Sequence, residues 1–256
     1  MISRVAGPNA STGRSSAGHM GAHATAAISA IPAATLETDL ADQGFALLPQ
    51  LLPAETCRAL IALYASEENF RSRVVMARHG FGRGEYKYFS YPLPRIVAEL
   101  RTQLYPALAT IANHWQGQLN GDQRYPDAHG TYLDRCHAAG QIRPTPLLLR
   151  YEAGDFNCLH QDIYGTHVFP LQMAILLSEP GADFMGGEFI LTEQRPRQQS
   201  RASVVPLARG DAVIFPVRER PVAGSKGFYR AQMRHGVSRL RSGMRYTLGV
   251  IFHDAA

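Results

Sequence analysis

Leu148-Leu149-Arg150-Tyr151-Glu152-Ala153-Gly154-Asp155-Phe156-Asn157-Cys158-Leu159-His160-Gln161-Asp162 closes on His-x-Asp and is answered far downstream by His235 and Arg245. In an extended segment successive side chains point to opposite faces, so His160 and Asp162 project to the same side and one metal can be gripped by both. The third ligand has to come from elsewhere in the chain. His235, in Met233-Arg234-His235-Gly236-Val237, lies just before the last apolar run and is the expected partner. Two imidazoles and one carboxylate can hold a ferrous ion by three adjacent corners and leave the other coordination positions open. A rolled sheet is the kind of fold that supplies so distant a third ligand.

Beyond His235 comes Arg245, followed by Tyr246-Thr247-Leu248-Gly249-Val250-Ile251-Phe252, which reads as a buried strand bounded by a turn at Ser242-Gly243. A guanidinium held on such a strand would bind a carboxylate by a two-pronged, charge-assisted contact. Thr247, two positions on, faces the same way and can add a hydroxyl. Each of these features is weak alone, because a lone His is more often a core or surface residue than a ligand. Their order agrees, however: strand, His-x-Asp, Gly-Gly-Glu at Gly186 to Glu188, Gly-Asp-Ala-Val-Ile-Phe at Gly210 to Phe215, His-Gly, then Arg-x-Thr. The rival is a set of unrelated polar residues on a β-barrel.

On these residues the chain, over roughly Pro144 to Asp254, resembles the iron(II)- and 2-oxoglutarate-dependent oxygenases. Arg150-Tyr151-x-x-Gly154 followed by Leu159-His160-Gln161-Asp162 is especially similar to the AlkB-like nucleic-acid dealkylases, while prolyl hydroxylases share the frame more loosely. The run from Arg143 to the C-terminus resembles a bacterial oxygenase family described as acting oxidatively on damaged DNA. The resemblance implies a mainly β fold with flanking helices, built on a double-stranded β-helix or jelly roll. It also implies that His160, Asp162 and His235 bind Fe(II) and carry catalysis, that Arg245 holds the distal carboxylate of 2-oxoglutarate, and that Tyr151 and Thr247 help. O2 is then the co-substrate, with ascorbate as a candidate reductant. Leu149 stands where the AlkB-like enzymes place an Asn, and Ile251 where they carry a second Arg, so co-substrate contacts are expected to differ in part from theirs. On an N-methyl group, the hydroxylation that this chemistry implies would release formaldehyde and the repaired base. Reaching such a carbon in a duplex requires a flipped base, or else a single-stranded substrate.

At 256 residues the chain can bury a sizeable core as a single domain. It has no apolar run long enough to span a membrane and no signal-type start, so a cytoplasmic protein without a membrane partner is expected. No protein partner is evident. Cys57, Cys136 and Cys158 are odd in number and far apart, which argues against a disulfide framework or a thiolate zinc site. Cys158 reads as a small packed strand residue. The net charge of +5 is unevenly placed, since Arg195 to Arg245 holds twelve of the 26 Lys and Arg but two of the 21 acidic residues. Basic surface around a pocket attracts polyanions, so alkylated DNA or RNA is a candidate partner, although Arg-rich surface also serves solubility.

Residues 1–34, rich in Ala, Ser and Gly and free of acids, read as a flexible, disordered tail. Residues 35–256 form one oxygenase domain, with helical support and a candidate substrate lid over 35–143 and the jelly-roll core over 144–256. Phe45 to Leu48 reads as a short strand, and Cys57, Leu60, Ile61 and Tyr64 as one face of a helix after Pro53. A second helical repeat, Val97, Leu100, Leu104, Leu108, Ile111 and Trp115, contains Pro106, which should kink it or start a new helix. Between the helices, Arg78, Phe81, Arg83, Tyr86, Lys87 and Tyr88 alternate cation, aromatic and glycine. Aromatics stack on bases while cations meet phosphates, so these residues, with Arg195 and Arg197, are the candidate substrate contacts. Their plain alternative is a glycine-rich hairpin. From Pro146 onward, short apolar runs at 147–151, 168–177, 188–192, 204–207, 212–217 and 246–252 argue an antiparallel, closed architecture.

The reading is an Fe(II)- and 2-oxoglutarate-dependent dioxygenase acting on alkylated nucleic-acid bases. A protein or prolyl hydroxylase comes second, a small-molecule hydroxylase third, and an inert cupin-like barrel last, since it would have no use for Arg245 beside a complete triad. Glu188, Asn157, His167 and His253 are weaker candidates for the pocket wall.

Overall fold

The computed structural model describes residues 32–256. The tail expected over 1–34 lies outside the described residues except at its end, where Ala33 already opens helix α1 (Ala33–Gln43). The chain continues through β1 (Ala46–Leu48), α2 (Ala54–Leu63), β2 (Phe70–Val75), a 3-10 turn at Met76–Arg78, β3 (Gly82–Arg83), β4 (Glu85–Phe89), α3 (Arg95–Gln118) and α4 (His129–Ala138). The remaining strands are β5 (Leu147–Glu152), β6 (Phe156–His160), β7 (Leu171–Leu176), β8 (Phe184–Gly186), β9 (Phe189–Gln194), β10 (Arg201–Val205), β11 (Ala212–Pro216), β12 (Glu219–Gly224), β13 (Gly227–Val237) and β14 (Leu240–Ile251).

These strands make two antiparallel sheets. The larger runs β1-β11-β7-β14-β5-β4-β2, with β8 joined to β14, and the smaller runs β10-β9-β13-β6-β3, with β12 joined to β13. The chain crosses repeatedly from one sheet to the other, as the jelly roll requires. Alternation along each strand sorts the side chains. On β7, Leu171, Met173 and Ile175 face outward into the main core beneath the helices, whereas Ala174 and Leu176 lie inside the roll. Leu36 of α1, Leu60 of α2, Leu104 and Trp115 of α3 and Tyr132 of α4 complete that outer core. No helix among the described residues is long and apolar enough to cross a membrane.

Two local expectations are corrected. Helix α3 runs unbroken through Pro106. No second helix starts at Pro106: both Pro106 and Thr102, whose carbonyl loses its donor, are exposed, so water can serve that carbonyl while buried residues on the opposite face keep the segment helical. Strand β14 likewise runs unbroken through Ser242-Gly243, where a turn was expected, and the chain reverses instead between β13 and β14 at Ser238-Arg239. Gly243 has φ 80°, and a Cβ there would sit 2.0 Å from the Asp183 carbonyl oxygen. Glycine is needed at that point for the close approach of the segment entering β8. Strands β6, β12 and β13 fall outside the apolar runs, because polar and glycine residues interrupt their alternation.

The helical layer is tied to the end of β14 by buried polar contacts. Arg101 of α3 donates to the Ile251 carbonyl at 2.8 Å and to Asp254 Oδ1 at 2.7 Å. Beside it, His129 Nε2 lies 2.9 Å from the Phe252 carbonyl, and the Phe169 N–H donates to His253 Nδ1 at 3.2 Å. Burial, reinforced by the Arg101 charge, lowers both imidazoles from about 6.5 to about 4. The folded state therefore binds fewer protons than the unfolded chain between those values, and stability is lost as pH falls from about 6.5 towards 4. Melting temperature measured across that window should decline with acidification. In His253→Asn, whose amide oxygen can replace Nδ1 as acceptor, the decline should be shallower.

Candidate metal centre

Strands β6 and β13 pair in a register that sets His160 opposite His235, with ring centroids 4.1 Å apart. Asp162 stands just past the end of β6. Its Oδ1 lies 3.5 Å from His160 Nε2 and its Oδ2 lies 3.3 Å from His235 Nε2. One ligand atom from each of the three side chains falls within 4.8 Å of the others. His160 is oriented through Nδ1, which lies 2.8 Å from the Cys158 carbonyl and leaves Nε2 turned to the centre. His235 packs against Phe215 and Phe189, at 4.7 and 6.0 Å between centroids. Tyr164 donates its hydroxyl to Asp162 Oδ1 at 2.8 Å. Burial alone would raise the Asp162 carboxyl, but hydrogen bonds and charge from His160 and His235 outweigh it and hold the group well below the usual carboxylate range.

Arg245 projects from β14 opposite Tyr151 of β5. Its Nη1 donates to Thr247 Oγ1 at 2.6 Å, and the rings of Tyr151 and Phe184 lie 5.7 and 5.9 Å from its guanidinium carbon. The side chain is buried, and no ion pair joins it to a carboxylate among the described residues. Arg245 Nε and the Tyr151 hydroxyl are both buried without a hydrogen bond of ordinary geometry, although the Asn157 amide lies near that hydroxyl. Burial brings the guanidinium down to about 10, so it is still a cation at neutral pH. The Gly-Gly-Glu motif makes room for it. At Gly187, φ 66°, a Cβ would meet Leu240 at 2.4 Å and Arg245 Cδ at 3.1 Å. Glu188 itself is exposed and accepts from the Ser238 hydroxyl.

The triad and Arg245 line one cavity of about 360 Å3. A buried cation with an unused donor, a nearby hydroxyl without a partner and a His-Asp-His donor set fit two guests together: a ferrous ion, and a dicarboxylate whose far end meets Arg245. Fe(II) and 2-oxoglutarate match that description.

The expected substrate contacts are divided by the fold. Residues 82–83 pair with β6 in the smaller sheet, whereas 85–88 pair with β5 in the larger one, so the segment spans the two sheets. Phe81 and Tyr86 border the cavity. Tyr88 is buried between Leu147 and Ile251. Strand alternation turns Lys87 to the other face, where it is buried over the Tyr64 and Phe70 rings and bonds Glu67 at 2.6 Å. Arg78 and Arg83 are exposed, the latter 3.9 Å from Asp155. Arg195 and Arg197 lie beyond the far end of β9 and do not border the cavity. Part of the basic excess is neutralised, because Arg195, Arg201 and Arg220 all converge on Glu193. Cys158 is exposed on the cavity wall instead of packed, since it shares the inward face of β6 with His160. Asn157 borders the cavity, and His167 and His253 do not. Sequence reasoning passed over Tyr164, Phe215 and Gln172. Gln172 had a signal, being the one polar residue in the strand Leu171 to Leu176.

Residues 84–255 match the model of a family described as an oxygenase catalysing oxidative methylation of damaged DNA. Two uncharacterized Mycobacterium tuberculosis proteins, Rv2227 (strain ATCC 25618 / H37Rv) and MT2286 (strain CDC 1551 / Oshkosh), are each 49% identical over 168 residues, covering 66% of this chain and 72% of theirs. An oxidoreductase of the 2OG-Fe(II) oxygenase family from Burkholderia pseudomallei shares the fold with a TM-score of 0.51 at 16% identity, over 89% of this chain and 94% of that one. A prolyl 4-hydroxylase from Phytophthora capsici does so with a TM-score of 0.50 at 16% identity, over 90% of this chain and 63% of that one. The segment matched by the family model contains His160, Asp162, His235 and Arg245, and the chain belongs to the oxygenase family so described.

Proposed function

We propose that the protein removes alkyl groups oxidatively from nucleic-acid bases, using Fe(II), 2-oxoglutarate and O2. The observation that carries the substrate half of this reading is the cavity rim. Phe81 is 49% exposed there and stacks on His79 at 5.3 Å and 22°, with Arg78 and Arg83 exposed nearby. An exposed aromatic ring beside exposed cations, of which Arg83 also faces Asp155 at 3.9 Å, suits a base and its phosphates. The family description adds damaged DNA. An oxygenase supplies oxygen and no methyl carbon, so its action on a methylated base is removal of the methyl group.

Bound Fe(II) and 2-oxoglutarate would supply the oxidation of a C–H bond to C–OH, one oxygen atom of O2 entering the product and the other entering succinate as CO2 leaves. The chain's own residues bind and orient. Arg245, Thr247 and Tyr151 hold the far carboxylate, Tyr164 fixes one oxygen of Asp162, and Phe215 with Phe189 walls His235 from water. An N–CH2OH product then breaks its C–N bond, the carbon leaving as formaldehyde and the nitrogen keeping the hydroxyl proton.

A peptide hydroxylase is the second reading. Leu159 and Ile163, 46% and 45% exposed on either side of the His160–Asp162 pair, offer apolar contacts that an extended peptide could use.

His160→Ala, Asp162→Ala and His235→Ala should each abolish iron-dependent succinate formation. Arg245→Ala should raise the KM for 2-oxoglutarate about 10- to 100-fold, the loss of a charge-assisted contact. In Tyr164→Phe, Mn(II) affinity measured by titration should fall about tenfold, as for other residues that orient a metal ligand. Formaldehyde release from methylated oligonucleotides should weaken steeply between about 50 and 200 mM salt. Salt-insensitive turnover of a peptide, with none on oligonucleotides, would instead select the second reading.

A further inference from the structure

Gln172 has its backbone in a strand that is otherwise apolar, and its side chain shares the inward face of β7 with Ala174 and Leu176. It borders the cavity that holds the triad. The residue is 2% exposed, and its Nε2 has no hydrogen-bond partner among the described residues. Its cross-strand neighbours on that face are Phe215 of β11 and Ile251 of β14, neither of which has a side-chain acceptor. The Phe215 ring lies 4.7 Å from that of His235, so the amide stands one side chain away from the metal ligands. Burying an unpaired amide is costly, and an acceptor carried in by a substrate would relieve that cost.

The surrounding charge narrows what the substrate group is. Among the residues bordering the cavity, the carboxylate is Asp162 and the guanidinium is Arg245, and both already serve the metal and the co-substrate. The other residues bordering the cavity, among them Tyr86, Tyr164, Phe215 and Ile251, carry no charged group apart from the imidazoles of His160 and His235. No carboxylate is left to pair with a cationic base, and no cation is left for the acid group of a small metabolite. Adenine N7 could accept from Gln172, but methylation at N1 makes that ring a cation.

Resting on the nucleic-acid reading, we infer that Gln172 is the specificity-determining residue. It donates from Nε2 to a carbonyl oxygen of the inserted base, so that uncharged, oxo-bearing methylated bases are preferred to cationic ones. In 3-methylthymine and 1-methylguanine the ring is neutral and carries such oxygens, whereas 1-methyladenine and 3-methylcytosine are cations at neutral pH.

The test uses four single-stranded oligonucleotides of one sequence, each with one of these bases, and the full chain loaded with iron and 2-oxoglutarate. Formaldehyde release gives kcat/KM. Fluorescence anisotropy, with Mn(II) in place of iron and no oxygen, gives binding. Wild type should favour the neutral pair by about tenfold, the scale of one base-edge contact. Gln172→Leu should bring the ratio close to one, mainly through KM, and weaken binding of the 3-methylthymine strand. Gln172→Glu, which introduces a carboxylate, should turn the preference towards the cationic pair, and it keeps the test decisive if the leucine variant melts early. A wild-type preference for the cationic bases, or an unchanged ratio in both variants, would overturn this inference and leave dealkylation standing. Release of formaldehyde from none of the four strands would overturn the nucleic-acid reading and this inference with it.

Discussion

The pairing of β6 with β13 sets His160 directly across from His235, and a slip of one residue in either strand would turn an imidazole to the opposite face of the sheet. That register is held from the other side by β9, where Leu191 lies opposite His235, and it is irregular one step further along, between His235 and Val237. The irregularity lies beside His235 itself, and bulges that re-aim a side chain are common next to functional sites. Asp162 then needs no strand of its own. It stands past the end of β6, where Tyr164 and the two imidazoles hold its oxygens.

The second constraint is electrostatic. A guanidinium as deeply buried as Arg245 is expensive unless something charged or polar meets it, and the described residues supply the Thr247 hydroxyl and two aromatic faces but no ion-paired carboxylate. Arg220 is the internal contrast. It is equally buried but lies 2.6 Å from Glu193, which makes it a structural ion pair tying β12 to β9. One buried arginine is completed by a carboxylate of the protein, while the other has none among the described residues and borders the cavity.

Much of the site was legible along the chain because it depends on short spacings. An offset of two positions from His160 to Asp162, and again from Arg245 to Thr247, places each pair on one face of an extended chain. The apolar runs also marked most strands of the larger sheet, of which β7 and β11 are buried along their whole length. Illegible parts depended on which face meets what. Lys87 and Tyr86 are neighbours in an alternating pattern, and nothing local says that the cation turns away from the cavity to meet Glu67. Cys158 looked like packing because its chemistry is apolar, yet it shares the inward face of β6. Pro106 and Gly243 carry local signals for a break and a turn, and both were overridden by neighbours: a well-buried helix face in one case, the close approach of the β8 segment in the other.

The sequence by itself determined the kinds of ligand, their order and the antiparallel, rolled class of fold, since these follow from side-chain chemistry and from periods of two residues. Only the tertiary structure decided which charges are spent on one another and which are left for a guest. Three arginines share the one carboxylate of Glu193, whereas among the described residues Arg245 has no carboxylate and the buried Gln172 Nε2 has no acceptor. The reason is physical. Spacing along a strand is a short-range property, while the pairing of a charge depends on residues tens of positions away that only the closed roll brings within bonding distance.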